Sequence, residues 1–179
     1  MEPPKVYYNK KQFLETHTGN KVSRRSLVRG RHNIHLNGKC IISPKVVVRG
    51  DLAPVKIGKF TIVKEEVVLR PSYKRAKGQL KYISMHIGDN VFIDEGTIVC
   101  ARRIGNNVYI GKNCIISHRV ELKDNCRIED NTVIPADTEV PPLTCYSGRP
   151  GQYKCDMPES TIFMHSELTN TYYNNFLPL

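Results

Sequence analysis

IGKNCIISHRVELKDNCRIEDNTVIP, residues 110–135, places an aliphatic side chain at Ile110, Ile116, Leu122, Ile128 and Ile134. The interval is six at every step. An α-helix repeats its buried face about every 3.6 residues and a half-buried strand every two, so neither marks one site in six. A fixed period of this kind belongs to a repeat architecture.

Extended in both directions, the series runs Ile87, Ile93, Val99, Ile104, Ile110, Ile116, Leu122, Ile128, Ile134 and Val140. Four residues after each start stands a small or β-branched residue: Val91, Thr97, Val108, Cys114, Val120, Cys126, Thr132, Thr138 and Thr144. The exception, Arg103, falls in the single five-residue step, from Val99 to Ile104. Three residues after the starts come Asn90, Gly96, Asn107, Asn113, Asn125, Asn131 and Asp137, types that tolerate positive φ, with Arg102, Arg119 and Leu143 as departures. These columns define a mechanism. The small residue and the aliphatic two positions later point inward on one short strand, and a single left-handed residue turns the chain into the next strand. Three strands and three corners close a triangular coil, and coils stack in parallel. The fold expected is all-β, a left-handed parallel β-helix of about six coils, an exception to the right-handed crossover rule. A β-meander would favour Asn-Gly or Asp-Gly between strands, and Asn37-Gly38 alone fits.

Upstream, Ile34, Cys40, Val46, Leu52, Ile57, Val63 and Leu69 continue the phase, with Thr61 and Val67 in the small column. Three interior rows are expected: 34, 52, 69, 99, 116, 134; then 40, 57, 87, 104, 122, 140; then 46, 63, 93, 110, 128, 146. The β-helix is thus assigned to residues 34–147. Between Leu69 and Ile87 the register needs an insertion of about twelve residues, an exposed loop over about 72–84. Cys40, Cys114 and Cys126 lie in interior columns and read as small core residues. Residues 1–33 carry no hexad and are assigned to a cap or arm. Residues 148–179 form a connector and a helix over about 158–175, begun by Pro158 and Glu159, with Met164, Leu168, Tyr172 and Phe176 as its apolar stripe.

Composition narrows the function. The 179 residues read as one domain. No apolar run is long enough to insert in a bilayer, and the first residues lack the layout of a signal peptide. A cytoplasmic chain with reduced thiols is expected. No C-x-x-C pair suggests zinc. The formal charge of +10 points to acidic partners, but neither a C₂H₂ spacing nor an aromatic platform motif supports nucleic acid.

The stretch VRGDLAPVKIGKFTIVKEEVVLRP, residues 48–71, resembles the γ-class carbonic anhydrases. That resemblance implies a zinc site of three histidines, and the corresponding positions here are Arg70, Glu95 and Cys100. All three ligands are replaced, and no metal or other cofactor is expected. Among the remaining histidines, His118 is the best-placed candidate for an acyltransfer base, outward at a corner. Over nearly the whole chain, YYNKKQFLETHTGNKVSRRS, GDLAPVKIGK, RPSYKRAKG, IGDNVFI, LKDNC, SGRPG and NTYYNNFLP resemble the dynactin subunit 5 family. The resemblance implies a non-enzymatic adaptor in the pointed-end complex of dynactin, associated with microtubules and dynein. Its implied partners are dynactin subunit 6, dynactin subunit 4, the pointed-end actin-related protein and dynein cargo adaptors. The alternative is a hexapeptide-repeat enzyme, an acyltransferase or a degenerate carbonic-anhydrase-like homotrimer. Lys74, Arg75, Lys77 and Lys81 in the inserted loop are the candidate partner-binding residues, with a plainly solvated basic loop as the other reading.

Overall fold

The structure is a computed structural model and describes residues 3–179. Short strands stack in parallel into three flat faces of a triangular prism, a left-handed parallel β-helix. The first face runs through Lys21–Ser23, Ile41–Ile42, Ile62–Val63, Phe92–Ile93, Tyr109–Ile110, Arg127–Ile128 and Thr144–Ser147. The second contains Leu27–Arg29, Val47–Arg49, Val68–Leu69, Ile98–Val99, Ile115–Ile116 and Val133–Ile134. The third contains Ile34–Leu36, Val55–Ile57, Met85–Ile87, Arg103–Ile104, Glu121–Leu122 and Glu139–Val140. Six coils are complete, and Thr144–Ser147 begins a seventh.

The corners explain the period. Asn90, Asn107, Asn113, Asn125, Asn131, Asp137 and Gly96 all have φ between 53° and 72°. Arg119 and Leu143, which lack the usual chemistry for this conformation, adopt it too, at 61° and 55°. Arg102 does not take it, because its corner is the one shortened by a residue. Inside, Val99, Ile110, Ile116, Ile128, Ile134 and Val140 are fully buried, as are the small-column residues Cys114, Val120, Cys126 and Thr132.

Upstream of Ile57 the expected phase is displaced by two residues. Val48, not Leu52, stacks on Leu69; Leu36, not Cys40, pairs with Ile57; Ile42, not Val46, pairs with Val63. Ile34, Cys40 and Val46 occupy the small column instead, and both columns there are aliphatic or Cys, so the sequence does not distinguish them. The step from Val48 to Ile57 is three residues longer than a hexad, with Leu52 in the excess turn. The stack also starts before residue 34. Lys21–Ser23 and Leu27–Arg29 belong to the first coil, so residues 21–33 are not an arm.

The first face is extended at one end by Phe13–Glu15, antiparallel to Lys21–Ser23, and at the other by Gln152–Asp156, antiparallel to Thr144–Ser147. Helix α1 (Thr161–Asn175) lies over this face. Its apolar stripe is only partly the one the spacing suggested. Met164 points to solvent at 63% exposure, while Thr161, His165 and Thr169 are buried. Those three polar side chains are short enough to seat the helix on the corners. His165 Nδ1 lies 2.7 Å from the Asn107 carbonyl, and Thr169 Oγ1 donates to Asn90 Oδ1 at 2.9 Å. Leu168, Tyr172 and Phe176 do pack inward, against Ile41, Ile62, Phe92 and Tyr109. After the helix, Phe176–Pro178 runs parallel to Val6–Tyr8. The Lys21 ammonium donates to the Phe176 carbonyl at 2.7 Å and sits 4.5 Å from the Tyr173 ring, tying the first coil to the tail.

Candidate functional site

On every strand, the residue before the interior aliphatic points outward. On the third face that column reads Lys56, His86, Arg103, Glu121 and Glu139, each in register with the next. It solvates itself, with Lys123 bridging Glu121 at 3.3 Å and Glu139 at 3.5 Å. On the second face the column reads Leu27, Val47, Val68, Ile98, Ile115 and Val133, again in register rung by rung. No element of the described residues lies over it. Leu27, Ile98 and Ile115 are 48%, 39% and 40% exposed, high values for large aliphatic side chains on a flat sheet. A contiguous apolar patch with polar borders is the usual mark of an interaction surface. Sequence reasoning missed this ladder. Its rungs are 17 to 30 residues apart because of the irregular coils and the insertion, so no fixed spacing exposes it.

The insertion borders this face, at the corner between the second and third. It is an ordered antiparallel hairpin, Tyr73–Ala76 against Gln79–Tyr82, rather than an irregular loop. Arg119 builds its root. The Arg119 backbone N–H donates to Ser72 Oγ at 2.8 Å, its guanidinium to the Tyr73 carbonyl at 2.5 Å, and Ser72 donates to the Cys100 carbonyl. A bidentate pair with Asp137 fixes the guanidinium and holds the Asp137 carboxyl below its ordinary value. One rung beyond Tyr73, Lys74 stands directly opposite Lys81, and Lys74, Arg75, Lys77 and Lys81 are all exposed. None of the four forms an ion pair among the described residues. Like charges placed opposite each other destabilise a hairpin. These charges therefore contribute nothing to holding it folded.

The positions matching the zinc ligands of the carbonic anhydrases, which that family shares across a trimer interface, lie along one corner and edge of the second face. Arg70 stacks one coil below Cys100 on the same edge, while Glu95 lies in the preceding corner. Burial pushes the Cys100 thiol above its ordinary pKa. His118 is not a free corner residue. Its ring lies 4.4 Å from that of Tyr73, under the hairpin. Burial, then Arg119 and Arg70, lower its pKa and keep it neutral. It supports the hairpin root, and among the described residues its Nδ1 has no partner.

A hexapeptide-repeat β-helix with one uncovered aliphatic face and a basic hairpin at its border belongs, by fold, to the same class as the hexapeptide transferases. One such protein from Anaplasma phagocytophilum superposes with a TM-score of 0.64 at 18% identity, covering 96% of this chain and 95% of that one. The likeness is one of fold alone. The sequence model of dynactin subunit 5 matches residues 1–179, and the chain belongs to that family. It is 52% identical over 178 residues to dynactin subunit 5 of Dictyostelium discoideum, covering 99% of this chain and 90% of that protein. Dynactin subunit 6 of Nematostella vectensis is 24% identical over 141 residues, covering 74% of this chain and 76% of that one.

Proposed function

We propose that the chain acts as a non-enzymatic structural and adaptor subunit of the dynactin pointed-end complex, in the cytoplasm. Dynactin subunit 6 is its β-helical partner on the second face. Dynactin subunit 4, the pointed-end actin-related protein and dynein cargo adaptors meet its other surfaces, the basic hairpin among them. The observation that carries this reading is the uncovered ladder from Leu27 to Val133. Rungs of any parallel β-helix repeat at about 4.8 Å, so two such prisms can match row to row across flat faces. The likeness to dynactin subunit 6 supports a partner with that repeat.

The test is replacement of Ile98 and Ile115 by Lys, followed by co-purification with dynactin subunit 6 and measurement of particle mass. Both side chains point outward, so the variant should keep its melting temperature and lose its heteromeric partner. A wild-type chain that forms a stable homotrimer with acyltransfer or CO₂-hydration activity would replace this reading with the enzymatic one.

A further inference from the structure

The two ends of the prism are finished differently. At the far end, the connector after Ser147 folds over the last coil. Val133 N–H donates to the Gly148 carbonyl and Gly151 N–H to the Val133 carbonyl. A Cβ on Gly151 would meet Ile134 Cδ1 at 2.7 Å, so the connector rests directly on the interior row, and Ile134 and Val140 are fully buried beneath it. At the near end, nothing comparable among the described residues closes the interior. Val22, Val28, Ile34 and Leu36 are only half-buried, although the same rows are sealed one coil further in. They floor a cavity of about 490 Å³, walled on one side by Leu14 and edged by Arg24 and Arg31. That volume lies within the range of ligand-holding clefts, about 300–1,000 Å³.

Two further features define what fits. Leu27–Arg29 and Ile34–Leu36 are the terminal strands of the second and third faces, so their outer edges are unpaired among the described residues. An unpaired edge beside an apolar cavity is satisfied by another extended backbone and not by a compact small molecule. The rim is also strongly cationic. Residues 10–36 hold seven Lys or Arg against one acid, Glu15, and all but Lys21, which is buried against the tail, are exposed. No carboxylate among the described residues forms an ion pair with Arg24 or Arg31.

We infer that the open first coil is a docking site for an extended, acidic segment of a partner protein. The segment adds as a strand to the edge at Leu27–Arg29 or Ile34–Leu36, places an aliphatic side chain in the cavity and sets its carboxylates against Arg24 and Arg31. A second copy of this chain is disfavoured as the occupant. End to end it would oppose one cationic rim with another, and head to tail it would meet a far end whose Val133–Ile134 edge is already taken by the connector.

The test uses the 179-residue chain and a short labelled peptide alternating glutamate with leucine. One control peptide carries lysine for glutamate and another serine for leucine. Binding is followed by fluorescence anisotropy and by amide hydrogen exchange. The glutamate–leucine peptide should bind and slow exchange in Leu27–Arg29 or Ile34–Leu36, and both controls should fail. Arg24→Glu with Arg31→Glu, two exposed positions, should weaken binding on the order of tenfold with unchanged melting. Val28→Phe should block the cavity without altering charge. Equal binding of the lysine peptide, protection confined to other strands, or a concentration-dependent dimer abolished by the arginine substitutions would each overturn the inference.

Discussion

The first and second faces of the prism both present apolar outward columns, yet they meet opposite fates. Ile41, Ile62, Phe92 and Tyr109 on the first face lie beneath helix α1 and the tail strand. Leu27, Val47, Val68, Ile98, Ile115 and Val133 on the second have no cover within the described residues. Within the described residues, the chain therefore carries a lid for one apolar face and leaves the other uncovered. The difference also shows how a lid is seated. Helix α1 is held by hydrogen bonds from His165 and Thr169 to the turn residues Asn107 and Asn90, in addition to apolar contact. On the second face, Asn113 and Asn131 mark the corresponding corners; among the described residues no helix is seated on them, and the Asn131 carbonyl accepts instead from Arg149 Nε of the connector at 2.8 Å.

Removing residues 157–179 is the most severe way to break the contrast. It leaves two apolar faces instead of one. Each large side chain uncovered forfeits roughly 1.5–3 kcal/mol, and the melting temperature should fall on the order of 10 °C, with aggregation. A truncated monomer with unaltered melting would mean that the helix does not seal the first face. A finer comparison uses single residues. Phe92→Ala on the covered face should cost about 3–5 kcal/mol. Ile98→Ala on the uncovered face should stay within about 0.5 kcal/mol in the isolated chain, while weakening assembly with dynactin subunit 6. Chemical denaturation of both variants decides it, since equal losses would show that the second face is packed even in the free chain.

Acid sharpens the comparison further, because the covered face has a titratable anchor. Burial, opposed in part by the bond to Asn107 and aided by Arg127, lowers the His165 pKa below its ordinary 6.5. The unfolded chain then binds more protons than the folded one between that lowered value and 6.5, so stability falls as the pH drops through this window. His165→Gln retains a polar side chain to meet the Asn107 carbonyl but cannot titrate. It should flatten the decline in melting temperature between neutral pH and the acid side of 6.5. Parallel pH profiles for the two proteins would show His165 to be no anchor.

The interior of the β-helix was legible because the aliphatic column holds at all ten starts and the small column at nine of them, and most corners from Asn90 to Asp137 carry the same information a third time. The first two coils were misread for a physical reason. Lys39 and Lys45 take left-handed corners with no Asn or Gly at those positions to announce them. Without that column, Cys40 and Val46 look as much like bulky rungs as Ile42 and Val48 do. The helix stripe was misread because its buried positions are Thr161, His165 and Thr169, polar residues of which His165 and Thr169 bond to the corners. The candidate site was legible only in its charges. The hairpin's cations stand out in any reading, whereas the aliphatic ladder is assembled from residues that no sequence interval connects.

The smallest effect on folding is expected at the hairpin, where the border of the uncovered face can be changed without touching it. Changing Lys74, Arg75, Lys77 and Lys81 together to Glu keeps the root intact. That root rests on Arg119, Ser72 and Tyr73, none of which is altered. The hairpin already tolerates Lys74 opposite Lys81, so exchanging one like-charge pair for another should leave stability within about 0.5 kcal/mol. Partner binding should respond differently. Exposed border charges act mainly on association rate, and their reach is about 8 Å at physiological ionic strength and longer in dilute buffer. The reversed hairpin should therefore slow association with an acidic pointed-end partner or cargo adaptor at low salt and converge on the wild-type rate as salt rises. Stopped-flow association at two ionic strengths, beside the Ile98 and Ile115 lysine variant, separates border from face. A reversed hairpin that associates at the wild-type rate in dilute buffer is solvated surface, and the aliphatic ladder would then act alone.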